Sequence, residues 1–261
     1  MRSVLGLFCR RLLRALFLSA VAATFALPGS SASALVMSDA EVASLQGAAA
    51  ALPAGERIAF WADRFVATPY DPDPVGEYVR RSLIVADDRV DCMYHLFRSV
   101  ELAFSANPAE AVQVALEKRF HGRGVLKDGF VVNYEDRFAY GEDMVFSGKW
   151  GDLISADIGP VSRMKGSRGI PHIEYIPKRG AVVYEKLRPG DLIFFVHPVH
   201  KRTRDEIVGH AGIISIDEQS GGVQLIHAGG LKGKGGAVRK VLLKTYRASM
   251  PFAGFMITRF E

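Results

Sequence analysis

The chain has little cysteine. Only Cys9 and Cys92 occur among its 261 residues, too few for the disulfide framework that stabilises many small secreted domains. Cys9 falls in an N-terminal segment that we expect to be removed, which leaves Cys92 with no partner for a disulfide bond. A lone thiol in an exported protein is either a buried apolar filler or a reactive group.

Acidic residues are absent from the first 34 positions, and this pattern indicates an export signal. Four arginines precede an apolar run at residues 15–27, and Ala32-Ser33-Ala34 supplies the small residues of a cleavage site. The run is too short to span a bilayer, which needs about 20 apolar residues. We expect residues 1–34 to be a signal peptide of the Sec or twin-arginine type, which places the mature protein in the periplasm or outside the cell.

Strong net charge and long apolar runs are absent from the remaining chain. Removing residues 1–34 takes away four arginines and no acid, so the formal net charge falls from +5 to +1. A nearly neutral chain gives no indication of a nucleic-acid partner or an anionic membrane partner. No later segment is long and apolar enough to span a membrane. We therefore expect no nucleic-acid binding and no stable membrane insertion.

The remaining chain divides by pattern into a helical first half and a strand-rich last third. Ser38-x-x-Glu41 is a capping box that predicts a helix to about residue 51. Further predicted helices cover residues 56–66, 91–104 and 108–120. The predicted strands are Leu192–Val196, His210–Ile216, Val223–Ala228, Val238–Thr245 and Phe252–Phe260. Residues 127–179 are predicted to form long ordered loops over a cleft.

This order of elements predicts an α+β fold, in which helices pack on one face or end of an antiparallel sheet. After the signal peptide at 1–34, we expect an N-terminal helical extension at 35–55. A single domain is expected from residue 56 to residue 261.

Three residues in this pattern suggest nucleophilic catalysis. Cys92 stands where a helix begins, and the partial positive charge of a helix N-terminus favours thiolate over thiol. His210 lies on a predicted strand between small residues, which keeps its imidazole approachable as a general base. His227 lies on the neighbouring strand, where it can face the same side and orient His210. Asp91 is expected to cap the helix.

Each of these residues also has a simpler interpretation. Cysteine on an amphipathic helix is usually a core residue, and a single histidine is usually structural. His197, His200 and His210 with Cys92 would suit Zn²⁺ by residue type, but the first two lead into a charged loop typical of a solvated hairpin tip. A Gly-rich stretch at 229–236 lacks the Gly-Lys-Ser/Thr ending of a phosphate-binding loop. We expect no metal ion and no cofactor.

Taken together, the motifs resemble the NlpC-type cysteine hydrolases of bacterial cell walls, which have a papain-like core. Residues Ile176-Pro177-Lys178 resemble a branch of this family that includes N-acetylmuramoyl-L-alanine amidases. The resemblance covers about residues 56–260. The motifs that carry it are Thr68-Pro69-Tyr70, Asp91-Cys92, Leu187-Arg188-Pro189-Gly190-Asp191-Leu192-Ile193, Gly209-His210-Ala211-Gly212-Ile213 and Ile226-His227-Ala228.

The resemblance implies an NlpC-type core in which the nucleophile-bearing helix packs on an antiparallel sheet or half-barrel. It implies that Cys92 is the nucleophile, His210 the general base and later acid, and His227 the orienting residue. Tyr70 and Asp91 become accessory or substrate-binding candidates. Met93 departs from the small residue that relatives commonly carry after Asp-Cys.

The implied activity is hydrolysis of an amide bond in peptidoglycan through a thioester, by an exported monomer. The expected bond joins N-acetylmuramic acid to L-alanine. Two alternatives remain open: a stem-peptide endopeptidase of the same fold, and a non-catalytic module that binds the cell wall.

Overall fold

Helices dominate the first half of the protein. The computed structural model describes residues 36–231 and 235–261; the predicted signal peptide and Cys9 lie outside them. The capping box at Ser38 and Glu41 is present, and Asn107 caps a helix that has Pro108 in its first turn. In the described residues the helices are α1 (Asp39–Ala49), α2 (Ala54–Arg64), α3 (Glu77–Arg80), α4 (Cys92–Ala103), α5 (Pro108–Lys118), α6 (Gly141–Phe146), α7 (Ser155–Ile158) and α8 (Leu243–Ser249). The four helices predicted before residue 120 are confirmed.

One antiparallel sheet forms the second half. Within the described residues it has the strand order β4-β5-β10-β6-β7-β8-β9, and β3 pairs with β10. A separate hairpin joins β1 to β2. The strands are β1 (Leu126–Lys127), β2 (Phe130–Val131), β3 (Asp152–Leu153), β4 (Ser162–Lys165), β5 (His172–Pro177), β6 (Leu192–Val196), β7 (Val208–Ile216), β8 (Val223–Leu231), β9 (Gly235–Leu242) and β10 (Gly254–Arg259). The predicted α+β class, with helices and an antiparallel sheet, is confirmed.

Two parts of the sequence prediction are wrong in detail. The strand predicted over Val238–Thr245 ends at Leu242, and α8 begins at the next residue. Leu243 and Tyr246 are both buried, which is the three-residue spacing of a helix face. Residues 127–179 are not only loops, because β5 in this segment pairs with β10 and extends the sheet.

The central strand β6 is buried on both faces. Leu192, Phe194 and Val196 belong to one apolar cluster, while Ile193 and Phe195 belong to a second. This alternation follows from the two-residue period of a strand. Helix α4 contacts α2 and α5 as well as strands β7 and β8, so the core fixes the helix that carries Cys92 against the strands that carry the histidines.

Charged side chains are buried around α4. Asp87 accepts two hydrogen bonds from Arg98, at 2.8 and 2.9 Å. Arg98 also contacts Glu101 at 3.3 Å, and Glu101 accepts two hydrogen bonds from Arg119, at 2.5 and 2.7 Å. These contacts connect the segment before α4, the helix itself and the end of α5. Within residues 36–231 and 235–261, no helix combines the length and hydropathy needed to span a bilayer.

Candidate active site

Cys92 is the first residue of α4 and is half-buried. Asp91 caps this helix, because its side chain accepts a hydrogen bond from the backbone N–H of Tyr94 at 2.6 Å. The preceding residue, Val90, is held by hydrogen bonds to the segment that carries Tyr70: Val90 N–H donates to Pro69 at 3.0 Å. The cap and this backbone pairing fix the point at which the helix begins, as the sequence predicts.

The thiol of Cys92 is not activated by the helix end alone. Burial raises the pKa of Cys92 to about 12, and the charge of Asp91 acts in the same direction. Backbone N–H groups of Ala211, Cys92 and Met93 oppose the rise in pKa but do not overcome it. The helix N-terminus therefore does not lower the pKa of Cys92 below its ordinary value, contrary to the sequence prediction, and the thiol needs a base.

His210 follows a bulge in strand β7. Phe195 of β6 pairs with His210, whereas Val196 pairs with Val208, so Gly209 is an extra residue on β7. A side chain at Gly209 would collide with the ring of His197. Glycine at this position therefore permits the bulge that presents His210.

His210 and His227 are in direct contact. Nε2 of His210 lies 2.9 Å from Nδ1 of His227, and the two rings are nearly perpendicular. Gly212 and Gly229 provide space for the ring of His227. A Cβ added at Gly212 would lie 3.1 Å from the Cβ of His227, and a Cβ added at Gly229 would lie 3.2 Å from Nδ1 of His227. The expectation that the two strands turn both histidines to the same side is confirmed.

Burial favours the neutral form of both imidazoles. Burial lowers the pKa of His210 to about 3, with the charges of His227 and His95 acting in the same direction. Burial lowers the pKa of His227 to about 4, assisted by the charge of Arg239. In the tautomer in which Nε2–H of His210 donates to Nδ1 of His227, Nδ1 of His210 carries a free lone pair. That nitrogen can then accept a proton from a thiol.

A cleft of about 430 Å³ lies in front of these residues. Cys92, His210, Tyr70 and Asp91 all line it, while His227 contacts His210. Burial raises the pKa of Tyr70 to about 12, so its phenol remains a hydrogen-bond donor at neutral pH. The structure thus brings four of the five predicted site residues to one cleft and places the fifth against the histidine.

The predicted cleft-covering segment does contribute one wall. Ala139, Tyr140 and Gly141 line the cleft, and Arg168 stacks on the Tyr140 ring with its guanidinium carbon 3.6 Å from the centroid. Another wall comes from the connection between β6 and β7, which supplies Thr203, Arg204 and Glu206.

Sequence reasoning missed two aromatic neighbours of the histidines. The ring of Tyr246 lies 4.6 Å from that of His227, and the ring of Phe252 stacks on His210 at 6.3 Å between centroids. Burial raises the pKa of Tyr246, with the charge of Cys92 acting in the same direction. The predicted strand over Val238–Thr245 ended just before Tyr246 and hid the helical spacing that would have marked it as buried.

The residues of the metal and phosphate alternatives lie in different surroundings. His197 lines the cleft and lies 3.9 Å from Glu206, whereas His200 is exposed on a short turn. No group of three or more His, Cys, Asp or Glu side chains that could hold a metal ion occurs in the part of the chain that the structure describes. Residues 229–231 of the Gly-rich stretch belong to β8 and residues 235–236 belong to β9, so a strand and not a helix follows the stretch.

No family model and no curated protein matches the sequence. Several solved structures share the fold. An N-acetylmuramoyl-L-alanine amidase from Bacteroides uniformis ATCC 8492 has 18% sequence identity and a TM-score of 0.60, over 79% of this chain and 98% of the other. The protein LPG0564 from Legionella pneumophila str. Philadelphia 1, of the family DUF1460, has 14% identity and a TM-score of 0.62, over 84% and 93% of the two chains.

Proposed function

We propose that this protein is an exported cysteine hydrolase that cleaves the amide bond between N-acetylmuramic acid and L-alanine in peptidoglycan. The observation that carries the proposal is the pair of histidines joined at 2.9 Å, with His210 and Cys92 lining the same cleft. The fold shared with a protein named N-acetylmuramoyl-L-alanine amidase supports the choice of substrate. The motifs of the NlpC-type hydrolases support the choice of nucleophile.

The proposed reaction starts from a neutral pair. Burial favours the thiol form of Cys92 and the neutral form of His210. Nδ1 of His210 therefore accepts the thiol proton as Sγ of Cys92 attacks the carbonyl carbon. The imidazolium of His210 that forms donates its Nε2–H to Nδ1 of His227, and this hydrogen bond stabilises the positive charge. His210 then protonates the leaving amine, which releases the peptide and leaves a thioester.

The second half of the reaction consumes the thioester. His210 removes a proton from water, the hydroxide attacks the thioester carbonyl, and the thiol of Cys92 is regenerated with release of the acid. The backbone N–H of Cys92 at the start of α4 is a donor for the oxyanion of both tetrahedral intermediates. One such donor is worth about 3 kcal/mol of transition-state stabilisation.

The test is digestion of purified sacculi by the mature protein, with mass spectrometry of the soluble products. An amidase releases stem peptides with a free L-alanine amino terminus and leaves the glycan strands without peptide. A stem-peptide endopeptidase of the same fold instead releases truncated peptides and leaves part of each stem on the sugar.

Two outcomes would contradict the proposal. If wild-type protein releases nothing but still sediments with sacculi, the chain is the non-catalytic wall-binding module. If Cys92→Ala releases the same fragments as wild type, Cys92 is not the nucleophile. Folding of the Cys92→Ala variant is checked by circular dichroism.

A further inference from the structure

A buried carboxylate holds the strand that carries His210. Glu142, the second residue of α6, is 1% exposed. Its Oε1 accepts the backbone N–H of Ile207 at 3.0 Å, and its Oε2 accepts the N–H of Val208 at 3.1 Å. The two carboxylate oxygens therefore bind one amide each, and these amides belong to the two residues just before the Gly209 bulge.

These amides need a partner because the bulge interrupts the sheet. The pairing of β6 with β7 changes register between Phe195 and Val196, next to Gly209. A bulge leaves local backbone groups without their usual ladder partners, and an unpaired buried N–H is costly. Glu142 supplies acceptors that the neighbouring strand does not.

The carboxylate has no salt bridge to account for its burial. No lysine, arginine or histidine nitrogen of the described residues lies within 4.0 Å of it. Burial raises the pKa of Glu142, while the backbone N–H groups of Ile207, Val208 and Glu142 itself, and the more distant charge of Arg168, act in the opposite direction. A buried acid without a salt bridge is an expensive way to stabilise a fold. The two amides that it binds lie three and two residues before the proposed base, and this location suggests another role.

The start of α6 also packs against the start of β7 at the wall of the cleft. A side chain at Gly141 would collide with Val208, since an added Cβ would lie 2.5 Å from Cγ1 of that residue. Gly141 and Val208 both line the cleft. The start of α6 is thus in close contact with the start of β7, on the wall that the substrate would meet.

We propose that Glu142 is a positioning residue, which fixes the start of β7 and so sets the place of His210 relative to Cys92. The proposal rests on the proposed function, in which His210 is the base. Glu142 contacts neither reacting group; it acts through the backbone of residues 207–209. Since misplacement of a catalytic group by about 1 Å can reduce a rate about a hundredfold, loss of this contact is expected to be visible in the chemistry.

The test measures alkylation of Cys92 by iodoacetamide, which needs no peptidoglycan. Iodoacetamide reacts with the thiolate, burial favours the thiol form of Cys92, and in the proposed mechanism His210 accepts the proton that the thiol loses. Glu142→Gln keeps one acceptor oxygen but turns an NH₂ group toward the second amide. We expect it to slow alkylation by about tenfold to a hundredfold between pH 6 and 9, and to lower kcat on muropeptides with KM unchanged.

A matched control is Glu110→Gln. Glu110 also binds a backbone N–H, that of Ala106 at 2.8 Å, but it is exposed at the start of α5 and does not line the cleft. We expect this variant to be alkylated at the wild-type rate. His210→Ala is the second reference, and we expect it to slow alkylation at least as much as Glu142→Gln.

Each remaining outcome is decisive. A folded Glu142→Gln protein with wild-type alkylation overturns the positioning role while leaving the proposed function intact. If His210→Ala is alkylated at the wild-type rate, His210 is not the base and the proposed function fails together with this inference. If Glu142→Gln does not fold, Glu142→Asp is the deciding variant. Its shorter carboxylate cannot reach both amides, so we expect slow alkylation of Cys92. Alkylation at the wild-type rate, or a second failure to fold, overturns the proposal.

Discussion

Replacing His227 by alanine tests the histidine pair directly. The change removes the acceptor that lies 2.9 Å from Nε2 of His210. In the proposed mechanism this hydrogen bond becomes charge-assisted when His210 takes up the thiol proton, so its loss is felt most in the transition state. His227 is only 8% exposed, which limits the access of bulk water to the vacated position.

The magnitude follows from the energy of such a bond. A hydrogen bond to a charged group contributes about 1.5–3 kcal/mol, and each 1.36 kcal/mol corresponds to about a tenfold change in rate. We therefore expect His227→Ala to reduce kcat about 10- to 150-fold with little change in KM. A water molecule that enters the space and accepts from Nε2 would place the result at the lower end of this range.

The assay compares initial rates of peptide release from soluble muropeptides with the rate of Cys92 alkylation. His227→Asn keeps a side-chain oxygen as acceptor, and we expect it to recover part of both rates. His121→Ala is the control, because His121 is exposed and does not line the cleft. His227 does not have the proposed role if folded His227→Ala retains kcat within twofold of wild type, or if the asparagine variant is as slow as the alanine variant.

Two further predictions concern stability. Burial lowers the pKa of His95 and His227 to about 4 and that of His210 to about 3, from 6.5 in the unfolded chain. The unfolded chain then binds more protons than the folded chain below pH 6.5, so the free energy of unfolding should fall as the pH is lowered from about 6.5 toward 4. Asp91 and Glu142, whose pKa values burial raises, oppose this trend, whereas the lowered pKa of His197 adds to it. Urea unfolding at pH 7, 6 and 5 measures the slope, and a stability that rises on acidification would contradict the assignment. Glu101→Ala leaves two buried arginines without their shared carboxylate and should lower the free energy of unfolding by about 3–5 kcal/mol. The same urea titration at pH 7 measures it, and a loss below 1 kcal/mol would show that the buried charges are not coupled.

Local chemistry made several elements predictable from sequence. Ser38 with Glu41, and Asp91 before Cys92, are helix starts that depend only on residues within one turn, and the structure has both. The alternation of apolar residues predicted the strands of His210 and His227 and the side to which they turn. These features need no information from distant parts of the chain.

Long-range contacts made the rest unpredictable. The pKa of Cys92 depends on how much of the fold covers its thiol, and burial outweighs the helix end that the sequence reveals. The role of Glu142 depends on amides 65 and 66 residues further along the chain. Strands β4 and β5 are four and six residues long, and they take shape only because β5 pairs with β10.

The segment that presents Tyr70 to the cleft also covers a strand edge. Strand β9 is the last in the sheet order, and residues 67–70 bind along it: Tyr70 N–H donates to Gly236 at 2.9 Å, Val238 N–H to Thr68 at 2.9 Å, and Ala67 N–H to Val238 at 3.0 Å. An uncovered edge is a template for pairing with other chains. Substitutions that loosen this segment would therefore promote aggregation between molecules during expression, in addition to any effect on the cleft.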